Sequence, residues 1–168
     1  MPESKDSTRR LHHTVPPWVP DGSTYHIRIR TERGATLPLT APSLATALLH
    51  STAHYHDQHV WFCHLMVLMP DHLHALLSFP RTSKMTTVVG RWKAWQKRTH
   101  GIAWQKNFFD HRIRHDHEFD EKAGYIRRNP VAAGLCATPG DWPWIFDLAS
   151  FERWHALGSV GEDTDAHP

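Results

Sequence analysis

The residues best suited to chemistry in this chain are two histidines, His72 and His74, one tyrosine, Tyr125, and one asparagine, Asn129. His72 and His74 lie in the stretch His64 to Phe79, where two apolar runs are broken by Pro70-Asp71. That break reads as a hairpin turn between two buried strands. On the second strand alternate side chains share a face, so His72 and His74 project together, about 7 Å apart by strand rise, while Leu73 points away. Two imidazoles so placed can grip one divalent metal ion. Tyr125 and Asn129 stand four residues apart in a helical stretch and share one helix face. A phenol is a weak nucleophile near neutral pH, so Tyr125 would need assistance to attack anything.

Each of these residues also has an ordinary meaning. With 16 His in 168 residues, about one or two His-x-His triplets are expected by chance alone. Three occur: His54/His56, His72/His74 and His115/His117. The first and third fall in polar segments and are expected to be exposed. Only His72/His74 falls inside an apolar strand, where a polar side chain needs a partner. A helical Tyr is usually a packed residue with its hydroxyl at the rim, and an Asn before Pro is usually a helix stop.

Composition sets the frame. At 168 residues with 40% hydrophobic content and eight Trp, one globular domain is expected. A formal charge of +2 and a pI near 8.7 are mildly basic and do not by themselves imply nucleic acid. Cys63 and Cys136 show no Cys-x-x-Cys spacing, which points to a reduced, cytoplasmic setting. No apolar run suits a membrane span, and the first ten residues lack the apolar core of a signal peptide.

The elements that must position these residues follow in order. Residues 1–23, with Arg9, Arg10, Pro16, Pro17 and Pro20, read as a basic N-terminal arm. Tyr25 to Thr31 alternates apolar and basic residues, which marks a half-exposed strand with Ile27 and Ile29 inward and His26, Arg28 and Arg30 outward. Pro42 opens a helix to about His56, with Leu44, Ala47, Leu48 and Tyr55 as its stripe. A strand from about His59 to Met69 leads into the hairpin and the strand Leu73–Phe79. Thr82 or Ser83 is expected to cap a helix over Met85–His100, with Val88, Val89, Trp92 and Trp95 inward and Arg91, Lys93, Lys97 and Arg98 making it basic. Gly101 ends it. Trp104 to Arg114 runs from loop into strand and alternates aromatic with basic residues, a pattern that suits stacked bases and phosphates as well as it suits a core strand. Glu118 to Arg128 is expected as a helix stopped by Pro130, with Phe119, Ala123 and Ile126 inward. Asp141 to Trp144 is an aromatic turn expected to clamp the C-terminal end, and residues 148–168 read as a tail, polar and acidic from Gly158. The order strand, helix, strand, strand, helix, strand, helix predicts an α+β, ferredoxin-like antiparallel sheet with helices on one face over residues 24–147, plus the two terminal extensions.

His72-Leu-His74, Trp104-Gln105, Phe108-Phe-Asp-His-Arg-Ile-Arg114 and Tyr125-Ile-Arg-Arg-Asn-Pro-Val131, taken together from about Leu11 to Ile145, resemble the REP-associated tyrosine transposases, a group of single-tyrosine HUH transposases. The resemblance implies that His72 and His74 hold Mg²⁺ or Mn²⁺, that Asn129 completes the metal site, and that Tyr125 is the nucleophile. It implies a DNA strand transferase that cleaves and rejoins single-stranded or hairpin DNA, REP-like palindromes among them, through a 5′-phosphotyrosine link. Trp104, Phe109, Arg112 and Arg114 are the candidate DNA contacts, with Arg28, Arg30 and the Arg9-Arg10 arm as further ones. A monomer or a homodimer is compatible with the resemblance. One departure is Asp71, where many members carry Asn; it either serves the turn or adds charge near the metal. Two other readings stay open: a domesticated relative that binds DNA or RNA without turnover, and a His-rich metal-binding protein with no nucleic-acid role.

Overall fold

The hairpin forms as its sequence requires. In the computed structural model, which describes residues 23–156, β2 (Phe62–Leu68) and β3 (His72–Ser78) pair antiparallel across Pro70-Asp71. Met69 N–H closes the turn on the His72 carbonyl at 2.8 Å. A bulge at His64 resets the register between Cys63 and Leu65, an extra residue that bends the strand locally.

β1 (Thr24–Arg30) lies on the other side of β3, with Arg28 opposite His74 and Arg30 opposite His72. β4 (Phe109–Ile113) pairs with β1, and β5 (Ile145–Asp147) pairs with β2. The sheet order is β4-β1-β3-β2-β5, antiparallel throughout. The first four strands with α1 (Pro42–Asp57), α2 (Met85–His100) and α3 (Asp116–Ala132) run in the ferredoxin-like order expected. None of the helices among the described residues is long and apolar enough to cross a membrane.

The helices do not share one face, as expected from sequence; they cover both. Leu44, Leu48 and Leu49 of α1 and Val88, Val89 and Trp92 of α2 pack with Ile27, Ile29, Leu73, Ala75 and Leu77. Phe119, Ala123 and Ile126 of α3 pack with Leu65, Val67, Leu76 and Ile113. The reason is visible in β2, where every residue is buried. A strand apolar on both sides must be covered on both sides.

Several boundaries shift, each for a local reason. β2 begins at Phe62 rather than His59, because His59 takes a left-handed φ of 54° that no strand accommodates. Neither Thr82 nor Ser83 caps α2; Lys84 occupies that position without a side-chain cap bond. Trp95 is exposed, and Gln96 takes the inward place, its amide donating to Ser51 Oγ at 2.7 Å. Gly101 does end α2, at φ 70°. α3 runs two residues earlier and four later than expected, straight through Pro130. A proline near the end of a helix removes one hydrogen bond, and here the last turn is tied off beyond it. Gly134 N–H donates to the Val131 carbonyl and Leu135 N–H to the Pro130 carbonyl, with Gly134 at φ 71°, the usual glycine-terminated helix end.

The C-terminal end also differs from expectation. The turn Pro139–Asp141 delivers Trp142, whose indole donates to the Leu68 carbonyl at 2.9 Å. Residues 148–156 are not tail: α4 (Phe151–Ala156) buries Trp154, whose indole donates to the Ile145 carbonyl at 2.8 Å. The arm of residues 1–22, with Arg9 and Arg10, and the stretch from Gly158 lie outside the described residues.

Candidate active site

On β3 the face toward α3 carries His72 and His74. His74 is buried and the His72 side chain is 14% exposed. Their ring centres are 5.0 Å apart and the planes nearly perpendicular, at 84°. Each ring is held at the same nitrogen. The Asp71 carboxylate accepts from His72 Nδ1 at 2.6 Å, and His26 Nε2 lies 3.0 Å from His74 Nδ1. Each Nε2 is thereby the nitrogen left over.

Burial keeps His74 and its neighbour His26 neutral. Burial lowers His74 from its ordinary value to about 3, with His72, His26, Arg28 and Arg30 adding to it. Burial likewise lowers His26 to about 4, with Lys122, Arg28 and His111 adding to it. Asp71 is held below the usual carboxylate range, first by its hydrogen bond from His72. A neutral imidazole is the form that ligates metal.

α3 supplies the opposite wall. Phe119, Ala123 and Ile126 turn inward, which places Lys122, Tyr125 and Asn129 together on the neighbouring face at spacings of three and four. The Tyr125 ring meets the His74 ring edge-on, with centres 5.8 Å apart, and is 49% exposed. Lys122 Nζ stands 5.9 Å from the Tyr125 ring centre. Asn129 Nδ2 donates to the Tyr125 carbonyl at 3.0 Å, which ties the amide to its own helix and leaves its oxygen as a free acceptor.

Among the described residues no group of three His, Cys, Asp or Glu could enclose a metal ion. The donor set is two imidazole nitrogens with their outer nitrogens engaged, the pattern that orients metal-ligating histidines. Two imidazoles suit a borderline divalent ion better than Mg²⁺, which prefers oxygen ligands.

The candidate DNA contacts divide. Phe109 is 46% exposed beside the site, touching His26 edge-on at 5.7 Å, with the Arg28 guanidinium 5.3 Å above its ring. Arg30 reaches Asp71 at 3.7 Å. Arg112 pairs with Tyr25, which packs with the α1–α2 core, so it leaves the sheet on the far side. Arg114 follows β4, its backbone N–H donating to Glu118 at 2.9 Å. Trp104 is buried and stacks toward Trp92 at 6.0 Å; it is core and has no free face for a base. The sequence reading missed His26 and Lys122 as neighbours of the site. The β1 alternation put His26 on the right face, but only the β1–β3 register brings it to His74.

No protein-family model matches the chain. A protein of Haemophilus influenzae, provisionally named a REP-associated tyrosine transposase, is 29% identical over 140 residues, 73% of this chain and 75% of the relative. A REP-associated tyrosine transposase of Escherichia coli is 30% identical over 97 residues, 55% of either chain. The chain is similar to REP-associated tyrosine transposases. A solved structure of such a transposase bound to a REP hairpin superposes with a TM-score of 0.61 at 21% identity, covering 86% of each chain. That transposase thus shares this fold.

Proposed function

We propose that this chain is a DNA strand transferase in which Tyr125 attacks a DNA phosphate. The observation that carries the reading is the phenol ring of Tyr125 lying 5.8 Å from the His74 ring, on the wall that faces the histidine pair. The phenol oxygen forms a bond to phosphorus, the bond from phosphorus to the 3′-oxygen breaks, and that oxygen leaves as a free 3′-hydroxyl after taking up a proton. The phenol proton passes to solvent. The 5′-phosphotyrosine link conserves the phosphodiester energy, so the reverse step rejoins strands without a nucleotide cofactor.

His72 and His74 would hold Mg²⁺ or Mn²⁺ through Nε2, with the Asn129 amide oxygen as a further ligand. Bound there, the ion supplies charge neutralisation at the non-bridging phosphate oxygens. The chain's own residues do the rest. Asp71 holds the His72 imidazole at Nδ1. Lys122 sets a positive charge over the phenol ring. Arg28, Arg30 and Phe109 offer two cations and an exposed ring to an unpaired strand, phosphate contacts and a stacking surface. The exposed Tyr125 and the structural neighbour bound to a REP hairpin support a substrate class of single-stranded or hairpin DNA, whose backbone can bend to the phenol.

The test is covalent capture. A labelled oligonucleotide carrying a hairpin and a single-stranded flank, incubated with Mg²⁺ or Mn²⁺, should yield a denaturant-stable adduct. Tyr125→Phe should abolish the adduct while leaving DNA binding close to that of the unaltered protein. A Tyr125→Phe variant that still forms the adduct removes Tyr125 from the reaction. Binding by the unaltered protein without adduct in either metal favours the non-catalytic binder.

A further inference from the structure

We infer that His26 is a positioning residue for His74, fixing which nitrogen of that ring is free for a metal ion. The inference rests on the proposed use of His72 and His74 as ligands. His26 lies on β1, diagonal to His74 in the β1–β3 register, where Arg28 is the direct partner. Diagonal neighbours on adjacent strands are within reach for ring side chains. The two rings stack at 5.2 Å and 23°, with 3.0 Å between His26 Nε2 and His74 Nδ1.

With His74 ligating through Nε2, that contact takes one tautomer. An imidazole that ligates through Nε2 while neutral carries its proton on Nδ1. His74 Nδ1–H then donates to His26 Nε2, which must be the acceptor, and the His26 proton sits on its own Nδ1. His26 Nδ1 is buried and has no protein partner, so the arrangement leaves one polar atom unmatched.

The simplest alternative is two buried histidines that satisfy one another. One observation favours positioning: the neighbouring ring is gripped the same way, with Asp71 engaging His72 at Nδ1. Two adjacent rings, held at the same nitrogen by unrelated side chains from a turn and from another strand, both present Nε2. His26 is itself fixed by Phe109 against its edge.

The experiment measures Mn²⁺ binding to DNA-free protein by electron paramagnetic resonance, for the full chain and the variants His26→Phe, His26→Gln and His72→Ala/His74→Ala. Phe keeps ring volume without an acceptor, whereas the Gln amide oxygen replaces Nε2. His26→Phe should weaken Mn²⁺ binding about ten- to a hundredfold, and His26→Gln should recover most of it. If His72→Ala/His74→Ala leaves Mn²⁺ binding unchanged, the ligand reading falls and this inference with it. If that double variant loses binding but His26→Phe binds like the unaltered protein, only the positioning role falls. Should His26→Phe fail to fold, nitrogen-15 long-range NMR of the unaltered protein decides. His74 protonated at Nδ1 supports the assignment, and His74 protonated at Nε2 overturns it.

Discussion

Asp71 sits at the turn between the strands, and its position settles a choice that the sequence left open between serving the turn and lending charge. Its carbonyl does serve the turn, accepting from Thr31 N–H and the Thr31 hydroxyl at 2.9 and 3.0 Å. Its carboxylate does something separate, holding His72 Nδ1 and meeting Arg30. The two functions use different atoms and can be tested apart. Asp71→Ala keeps the carbonyl and loses the carboxylate, so it should weaken Mn²⁺ binding about tenfold or more with little change in thermal stability. Asp71→Asn keeps an acceptor and should lose less. Equal Mn²⁺ affinity in all three proteins, read by titration calorimetry, would detach Asp71 from the site. At this scale the closeness of His72, His74 and Tyr125 was legible through strand alternation and the family resemblance. His26 was not, because its role exists only once a second strand is laid beside the first. Trp104 was misread because an aromatic residue between polar ones looks the same whether it faces a base or another Trp.

Between elements, the junction of α1 and β2 carries a histidine that the sequence reading expected to be exposed. His56 instead packs against Phe62, Phe146 and Phe151, with ring centres 4.7, 5.6 and 5.2 Å away. Its Nδ1 accepts the Cys63 N–H at 3.1 Å. Burial holds its pKa below the ordinary 6.5, so the folded state favours the neutral ring. A lowered histidine pKa means that the unfolded chain takes up a proton before the folded one does. The contribution of His56 to stability is therefore present above pH ~6.5 and declines as pH falls below it. Urea midpoints measured from about pH 7 to about pH 5 should fall more steeply for the unaltered protein than for His56→Asn, whose amide oxygen keeps the acceptor without titrating. Parallel slopes would exclude His56 as a source of acid sensitivity. The elements themselves were legible in order and type because their periodicities differ. Their ends were not: His59, Lys84 and Gly134 set boundaries through backbone conformation and cap geometry, which side-chain pattern encodes only faintly.

For the molecule as a whole, the surprise is how much of the fold depends on its last described helix. Trp154 is 1% exposed, Phe151 packs on Phe146 at 6.3 Å, and Arg127 of α3 joins Asp147 of β5 at 3.0 Å. Removing residues 148–168 strips Trp154 and Phe151 from the core beside α1. The expected loss is at least that of truncating one buried Trp, about 3–5 kcal/mol, seen as a lower urea midpoint. A truncated chain as stable as the full one would show that α4 only decorates the domain. The same reasoning explains why the sequence put the helices on one face. An uninterrupted apolar strand such as β2 signals burial, but it does not say that the two sides are covered by different partners.

β3 is the middle strand of five, hydrogen-bonded on both flanks, so its two imidazoles ride on the part of the molecule least able to shift. Tyr125 rides on a helix laid across that sheet and joined to it by side chains alone, apart from the chain connection at β4. Any play in the distance between phenol and imidazoles therefore belongs to the helix. On the proposed chemistry, a nucleophile that must both seize a strand and let it go would be mounted on the side that can yield, while the anvil beneath it stays still.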